Sequence, residues 1–231
     1  MITSNQRYRH EYKYLISSVQ QSILKSRAAG CMELDSHVNS DGVYIIRSLY
    51  FDDERDSCLN DNLVGADPRS KFRLRYYGSD TNRIVLEKKI KSRGLCRKES
   101  CQISVQECEA LINGDSVNAT STMDDKKKKL LTELNLKCLK PKLIVTYKRA
   151  PFVCFTGNVR VTFDDSITSS GDVTEFLSTK YFQRPILETG QSILEVKWDE
   201  VIPLYIKEIL NIENLNWTAF SKYTMCRMLH L

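Results

Sequence analysis

Lysine and arginine recur at alternate positions in one candidate strand after another of this chain, with a few carboxylates among them. Lys71, Arg73 and Arg75 alternate with Phe72, Leu74 and Tyr76, while Arg7, Arg9, Glu11 and Lys13 alternate with Tyr8, His10, Tyr12 and Tyr14. The device returns at Glu87 and Lys89, at Tyr147 and Arg149, at Arg160, Thr162 and Asp164, and at Glu195 and Lys197. Neighbouring side chains of a strand point to opposite faces, so each set lines one face. The inward set is Lys13, Arg73, Arg75, Lys89, Lys98, Arg149, Arg160 and Lys197, against Glu11, Glu87, Asp164 and Glu195.

Eight cations thus face four carboxylates. Burying an ion is costly unless it is paired, so a purely structural role would need one acid for each base. The excess points to a bound polyanion. Arg engages phosphate in bidentate fashion and Lys as a point charge. The carboxylates suit Mg²⁺ or Mn²⁺, which prefer oxygen ligands and bridge phosphate oxygens.

One pair such as Arg73-x-Arg75, taken alone, fits a solvent-facing strand edge. Recurrence across many strands argues against that reading and for a closed sheet with a charged lumen. The chain has no Gly-x-x-x-x-Gly-Lys-Ser/Thr loop, no Gly-x-Gly-x-x-Gly and no nucleophile elbow. Phosphoryl transfer needs little beyond positioning and charge stabilisation, so cations and a metal suffice.

These residues must be held by strands at about 7–16, 43–52, 71–78, 82–91, 95–103, 141–150, 158–165 and 192–199. Gly78-Ser79-Asp80, Arg93-Gly94 and Thr156-Gly157-Asn158 supply turn chemistry between consecutive strands. Helices are expected at 17–29, from Ser104 through about Ile112 with Glu107 completing a capping box, and at 124–137, 203–214 and 217–229. Lys126 to Lys129 lie on the helix that carries Leu130, Leu131 and Leu134, and read as its solvated face rather than a nucleic-acid patch. The expected architecture is α+β: one domain over 1–231, an eight-stranded antiparallel barrel with helices packed outside.

Net charge is +5, so partner information lies in where the charges sit rather than in their sum. No apolar run approaches the roughly 20 residues that span a bilayer, and the first 14 residues carry no apolar signal core. The expected location is cytoplasmic, with a membrane-protein partner outside this chain able to tether it. The eight cysteines are dispersed, without a Cys-x-x-Cys pair, and are expected to be free and mostly buried.

In this order the segments Glu11-Tyr-Lys13-Tyr14, Ser48-Leu-Tyr-Phe-Asp52, Arg73-Leu-Arg75-Tyr-Tyr, Glu87-Lys-Lys89, Arg97-Lys98, Tyr147-Lys-Arg149, Arg160-Val-Thr-Phe-Asp164, Leu194-Glu195-Val-Lys197 and Ser221-Lys222-Tyr223 resemble the VTC domain. That domain is the polyphosphate polymerase module of the vacuolar transporter chaperone complex, here of the bacterial stand-alone type, and is one of the CYTH-like triphosphate tunnel metalloenzymes. The resemblance implies an eight-stranded tunnel. It implies that Arg73, Arg75, Lys89, Arg149 and Arg160, with Lys13 beside them, grip the triphosphate of ATP. Tyr147 would hydrogen-bond a phosphate, and Glu195 would bind the metal. Lys98, Ser221 and Lys222 would touch the phosphate chain near a tunnel end. The implied reaction moves the γ-phosphate of ATP onto inorganic polyphosphate and releases ADP.

Hydrolytic members of that superfamily carry Glu-x-Glu-x-Lys on the first strand. Here the segment is Arg9-His-Glu11-Tyr-Lys13, so a base replaces the first carboxylate. The change favours phosphate over water as acceptor. A tri- or polyphosphate hydrolase and a non-catalytic module binding polyphosphate or inositol phosphate remain as alternatives. ATP and polyphosphate, not nucleic acid, are the expected partners.

Overall fold

The computed structural model describes residues 8–211, 215, 217, 218 and 220–231. Arg7, and parts of the helices expected at 203–214 and 217–229, lie outside them. Eight long strands are present: β1 (His10–Ser17), β3 (Tyr44–Asp52), β4 (Arg69–Tyr77), β5 (Asp80–Ser92), β6 (Leu95–Ile103), β7 (Lys140–Cys154), β8 (Val159–Ser170) and β10 (Gln191–Trp198). They form one antiparallel sheet in the order β1-β10-β8-β7-β3-β4-β5-β6. Two short strands, β2 (Glu33–Leu34) and β9 (Arg184–Pro185), pair with β7 and β8.

Turn chemistry sets the hairpins. Arg93 and Gly94 both have positive φ, 51° and 78°, as a two-residue turn matched to strand twist requires. Gly157 between β7 and β8 also has positive φ, and a Cβ there would sit 2.3 Å from the Val201 carbonyl oxygen. No other residue type fits that approach.

The sheet curls but does not close, which corrects the expected barrel. Its edges β1 and β6 meet at one bridge, where Arg9 and Cys96 each donate N–H to the other's carbonyl at 2.9 Å. Farther along, the edge of β1 is taken by the C-terminal segment. Trp217 bridges to Tyr14, and Thr218 N–H donates to the Lys13 carbonyl at 2.8 Å. Backbone groups satisfied in that way are not free to pair with β6.

The convex face carries the larger apolar clusters. Phe72, Leu74 and Leu86 are buried against helix α3 (Val105–Ile112) and helix α4 (Asp125–Leu136), through Leu111, Leu130, Leu131 and Leu134. Val161, Phe163 and Val196 are buried against helix α1 (Ser18–Ala29) and helix α5 (Leu204–Ile209). Each such side chain contributes about 1.5–3 kcal/mol by leaving water. Ser17 with Gln20 and Ser104 with Glu107 form complete capping boxes, and Asp124 accepts from the backbone N–H groups of Lys126 and Lys127. The lysine run on α4 is spent on surface ion pairs, Lys127 with Glu107 and Lys129 with Glu99.

Not all helices pack outside. Helix α2 (Ser57–Leu63), which the sequence pattern did not announce, and helix α6 (Lys222–Met228) sit on the concave face. Leu59, Tyr223 and Cys226 pack there with Ile46, Tyr50, Val145 and Tyr147. Asp52, fully buried, fixes both helices: it accepts from the N–H groups of Cys58 and Leu59 and from the Tyr223 hydroxyl. The cysteines are free, as expected. Only Cys101, Cys108 and Cys226 are buried, fewer than expected, because the other five lie on loops, edges and element ends.

Candidate functional site

The charged residues of alternating phase meet on the concave face around a cavity of about 420 Å³. Fourteen Lys and Arg side chains line it, against the carboxylates of Glu11 and Glu195. Three acidic hubs organise the cations.

The first hub is Glu87 of β5. Its Oε2 accepts from Arg73 Nε at 2.8 Å and lies 2.7 Å from Arg73 Nη2, while Oε1 accepts from Lys98 Nζ at 2.7 Å. Arg73 also donates to the Tyr50 hydroxyl at 3.1 Å. Arg75 donates to Ser48 Oγ and to the Tyr147 hydroxyl, both at 3.1 Å. Burial alone would raise the Glu87 carboxyl, but Arg73, Arg75 and Lys98 outweigh it and hold the group well below the usual carboxylate range.

The second hub is Asp164 of β8. Arg149 clasps it with two bonds, the Nη2–Oδ2 one at 2.7 Å, and Lys222 of α6 donates to the same Oδ2. The Lys222 ammonium also lies 4.7 Å from the centre of the Tyr147 ring, and the Arg149 guanidinium 5.3 Å from it. Lys222, expected to touch the phosphate chain, lines the cavity, and its charge is held by Asp164.

The third hub is the pair Glu11 and Glu195 on neighbouring strands. Lys13 donates to Glu11 Oε1 at 2.8 Å and lies 3.7 Å from Glu195 Oε2. Lys89 donates to both Glu11 oxygens, and Lys197 contacts Glu195 Oε1. Burial opposes ionisation of Glu11, yet Lys13 and Lys89 hold it well below the usual range; Lys197, Lys13 and Arg149 do the same for Glu195. Lys13 is raised in turn: burial works against its charge, and Glu11 and Glu195 outweigh that.

Arg160 stands at the rim, donating to Asp35 Oδ2 at 2.8 Å and to the Tyr44 hydroxyl at 2.7 Å. Lys13, Arg73, Arg75, Lys89, Arg149, Arg160, Tyr147, Lys98, Lys197, Ser221 and Lys222 all line the cavity, as do Glu11 and Glu195. Glu87 does not join the other two carboxylates. Its oxygens are taken behind Arg73, and among the described residues no three acidic, His or Cys side chains gather as a metal cage. Of the three carboxylates expected to hold a metal, Glu195, Glu11 and Glu87, only the first two line the cavity.

Two carboxylates still fit a divalent ion. Mg²⁺ is ordinarily held by one or two carboxylates with substrate phosphates and water completing its shell. Glu195 Oε1 is buried against the Lys197 ammonium, and the Lys13 ammonium lies between the two glutamates, so the space they share is one that cations already occupy.

The structure adds residues that spacing did not select. Lys71 shares the phase of Arg73 and so carried a signal; Tyr44, Asn62 and Arg69 also line the cavity. Asp35, which holds Arg160, lies just after β2 and carries no motif.

The family model for the VTC domain matches residues 8–230. The chain belongs to the VTC domain family. Its curled sheet is a triphosphate-tunnel fold, open along the β1/β6 edge. Among solved structures it is similar to the PH1819 protein from Pyrococcus horikoshii OT3, at 13% identity and a TM-score of 0.51, covering 96% of this chain and 99% of that one. It is also similar to a putative adenylate cyclase from Bacillus halodurans, at 15% identity and a TM-score of 0.49, covering 89% and 87%. The likeness to the first is one of fold alone. No curated protein matches this VTC domain. None of its described helices is long and apolar enough to cross a membrane.

Proposed function

We propose that this VTC domain is a polyphosphate polymerase, transferring the γ-phosphate of ATP to a growing inorganic polyphosphate chain. The observation that carries the reading is the surplus of cations over carboxylates around one cavity. The carboxylates are shared between two or three cations each, so the cavity keeps a surplus of positive charge that suits a polyanion as counterion. A cavity of about 420 Å³ walled by cations favours a phosphate chain over the bulkier sugars and bases of nucleic acid.

Arg73, Arg75, Lys89, Arg149 and Arg160 would hold the triphosphate, with Lys13 beside them. Tyr147 accepts from Arg75 and keeps its own hydroxyl proton to donate to a phosphate oxygen. Lys98, Lys197, Ser221 and Lys222 would position the acceptor chain. A terminal oxygen of that chain attacks the γ-phosphorus, the bond from phosphorus to the β–γ bridging oxygen breaks, and its electron pair leaves on ADP. Charge spread over the equatorial oxygens in the transition state is met by fixed guanidinium and ammonium groups, which need no reorganisation. Glu11 and Glu195 would hold Mg²⁺ or Mn²⁺, which when bound supplies further neutralisation of the phosphate oxygens.

Arg9 in place of a first-strand carboxylate favours this reaction over hydrolysis. Its Nε lies 2.7 Å from Asp199 Oδ1, so the residue is spent on an ion pair at the rim. The test is incubation with ATP and Mn²⁺, with products resolved by chain length. Long polyphosphate with ADP supports the polymerase. Orthophosphate or pyrophosphate supports the hydrolase, and binding without turnover supports the non-catalytic module. Activity is expected in the cytoplasm, with a membrane partner drawing product away.

A further inference from the structure

Cation after cation of the lumen owns a carboxylate: Lys13 and Lys89 share Glu11, Arg73 and Lys98 share Glu87, and Arg149 and Lys222 share Asp164. Lys71 does not. It lines the same cavity from β4, in register with Lys89 on β5. Its ammonium donates to two neutral oxygens, Asn62 Oδ1 at 2.9 Å and Ser221 Oγ at 2.7 Å, and among the described residues it forms no ion pair. An ammonium has three donors, so one hydrogen remains for a ligand in the cavity.

The geometry points to Lys71 as an additional phosphate-binding position of the lumen, whose counterion is the bound phosphate chain itself. Asn62 of α2 and Ser221 at the start of α6 hold the side chain from behind, so it is aimed before any ligand arrives. Four groups of charge surround it. Lys89 on β5, Lys13 on β1 and Arg69 on its own strand repel its proton, and Glu11 on β1 attracts it. The Tyr223 ring of α6 lies 5.7 Å away and brings no ionised partner. Burial first, and then the three neighbouring cations, hold the Lys71 ammonium well below its ordinary range. A polyanion beside it reverses the balance. Binding therefore takes up a proton at pH values above the depressed one, and tightens as the pH falls through it.

The inference rests on the lumen holding a phosphate chain, and it is tested without turnover. Inorganic tripolyphosphate, without metal, is titrated into the wild type, Lys71→Met and Lys71→Arg by calorimetry at mildly alkaline pH. Two buffers of different ionisation enthalpy give the number of protons exchanged. Lys71→Met should lose about tenfold in affinity, the worth of one charge-assisted hydrogen bond. Lys71→Arg, whose guanidinium is always charged, should bind like the wild type but take up fewer protons. Thermal melting checks that each variant is folded; replacing an unpaired buried cation by an apolar chain of similar length is tolerated. If Lys71→Met fails to fold, Lys71→Gln is titrated in its place. Equal affinity in the wild type and a folded neutral variant would make Lys71 a prop for α6, and equal proton uptake in the wild type and Lys71→Arg would overturn the proton linkage. A wild type that does not bind tripolyphosphate at all would overturn the functional reading and this one with it.

Discussion

Glu11 of β1 accepts two hydrogen bonds from Lys89 of β5, at 2.6 and 2.7 Å, joining the first strand of the sheet order to the last but one. Among the described residues, backbone pairing between the edges is confined to Arg9 and Cys96. The side-chain pair thus does across the lumen what a ladder would do in a closed barrel. It also occupies, with protein charge, the place where phosphate and metal are expected.

Replacing Glu11 separates those two roles. Glu11→Gln leaves Lys89 and Lys13 without their shared counterion, and should lower stability by about 3 kcal/mol, as removal of one partner of a buried pair does. The released ammoniums should bind tripolyphosphate more tightly when no metal is present. Denaturant melts and a binding titration read the two effects. A variant that is destabilised and binds more weakly would show that Glu11 organises the site rather than competing with its ligand.

Glu195→Gln should keep the fold and most ATP binding but lower turnover about a hundredfold or more. The cations hold the ground-state phosphates, whereas the carboxylate at the metal position matters when charge develops at transfer. Turnover unchanged at saturating Mn²⁺ would leave Glu195 as an ion-pair partner of Lys197, Lys13 and Arg149.

Polyphosphate affinity should fall steeply with salt, by analogy with counterion release from nucleic acids. Short polyphosphate should compete far better than single-stranded DNA of equal charge if binding is inside the curl, where sugars and bases add bulk that a phosphate chain lacks. Equal competition, read by fluorescence displacement, would place binding on an outer patch such as the lysine run of α4.

Acid should destabilise the domain through its buried carboxylates. Glu87 is held below its ordinary value of 4.5 in the folded state. Its contribution is present above that unfolded value and is lost as the pH falls from there through the folded one. Chemical denaturation from pH 6 to pH 3 should show this slope, and Glu87→Gln should flatten it.

The sequence by itself determined the strands and the phase of their side chains. Alternation with period two places Arg73, Arg75, Glu87, Arg149 and Glu195 on one face wherever the strands pair, and the capping box at Ser104 is local in the chain. Those signals lie within a few residues, so no tertiary knowledge is needed to read them. The family resemblance was legible for the same reason, in short segments preserved in order. What remained was decided by contacts over long separations. That the barrel stays open depends on Trp217 and Thr218 reaching the edge of β1, some 200 residues away in sequence. That α2 and α6 lie inside the curl depends on Asp52 capping one and binding Tyr223 of the other. That Glu87 stands apart from Glu11 and Glu195 depends on which of its neighbours reach it, Arg73 and Lys98. Pattern assigns a side chain to a face; only the folded sheet decides which charges on that face find partners, and which, like Lys71, are left for a ligand.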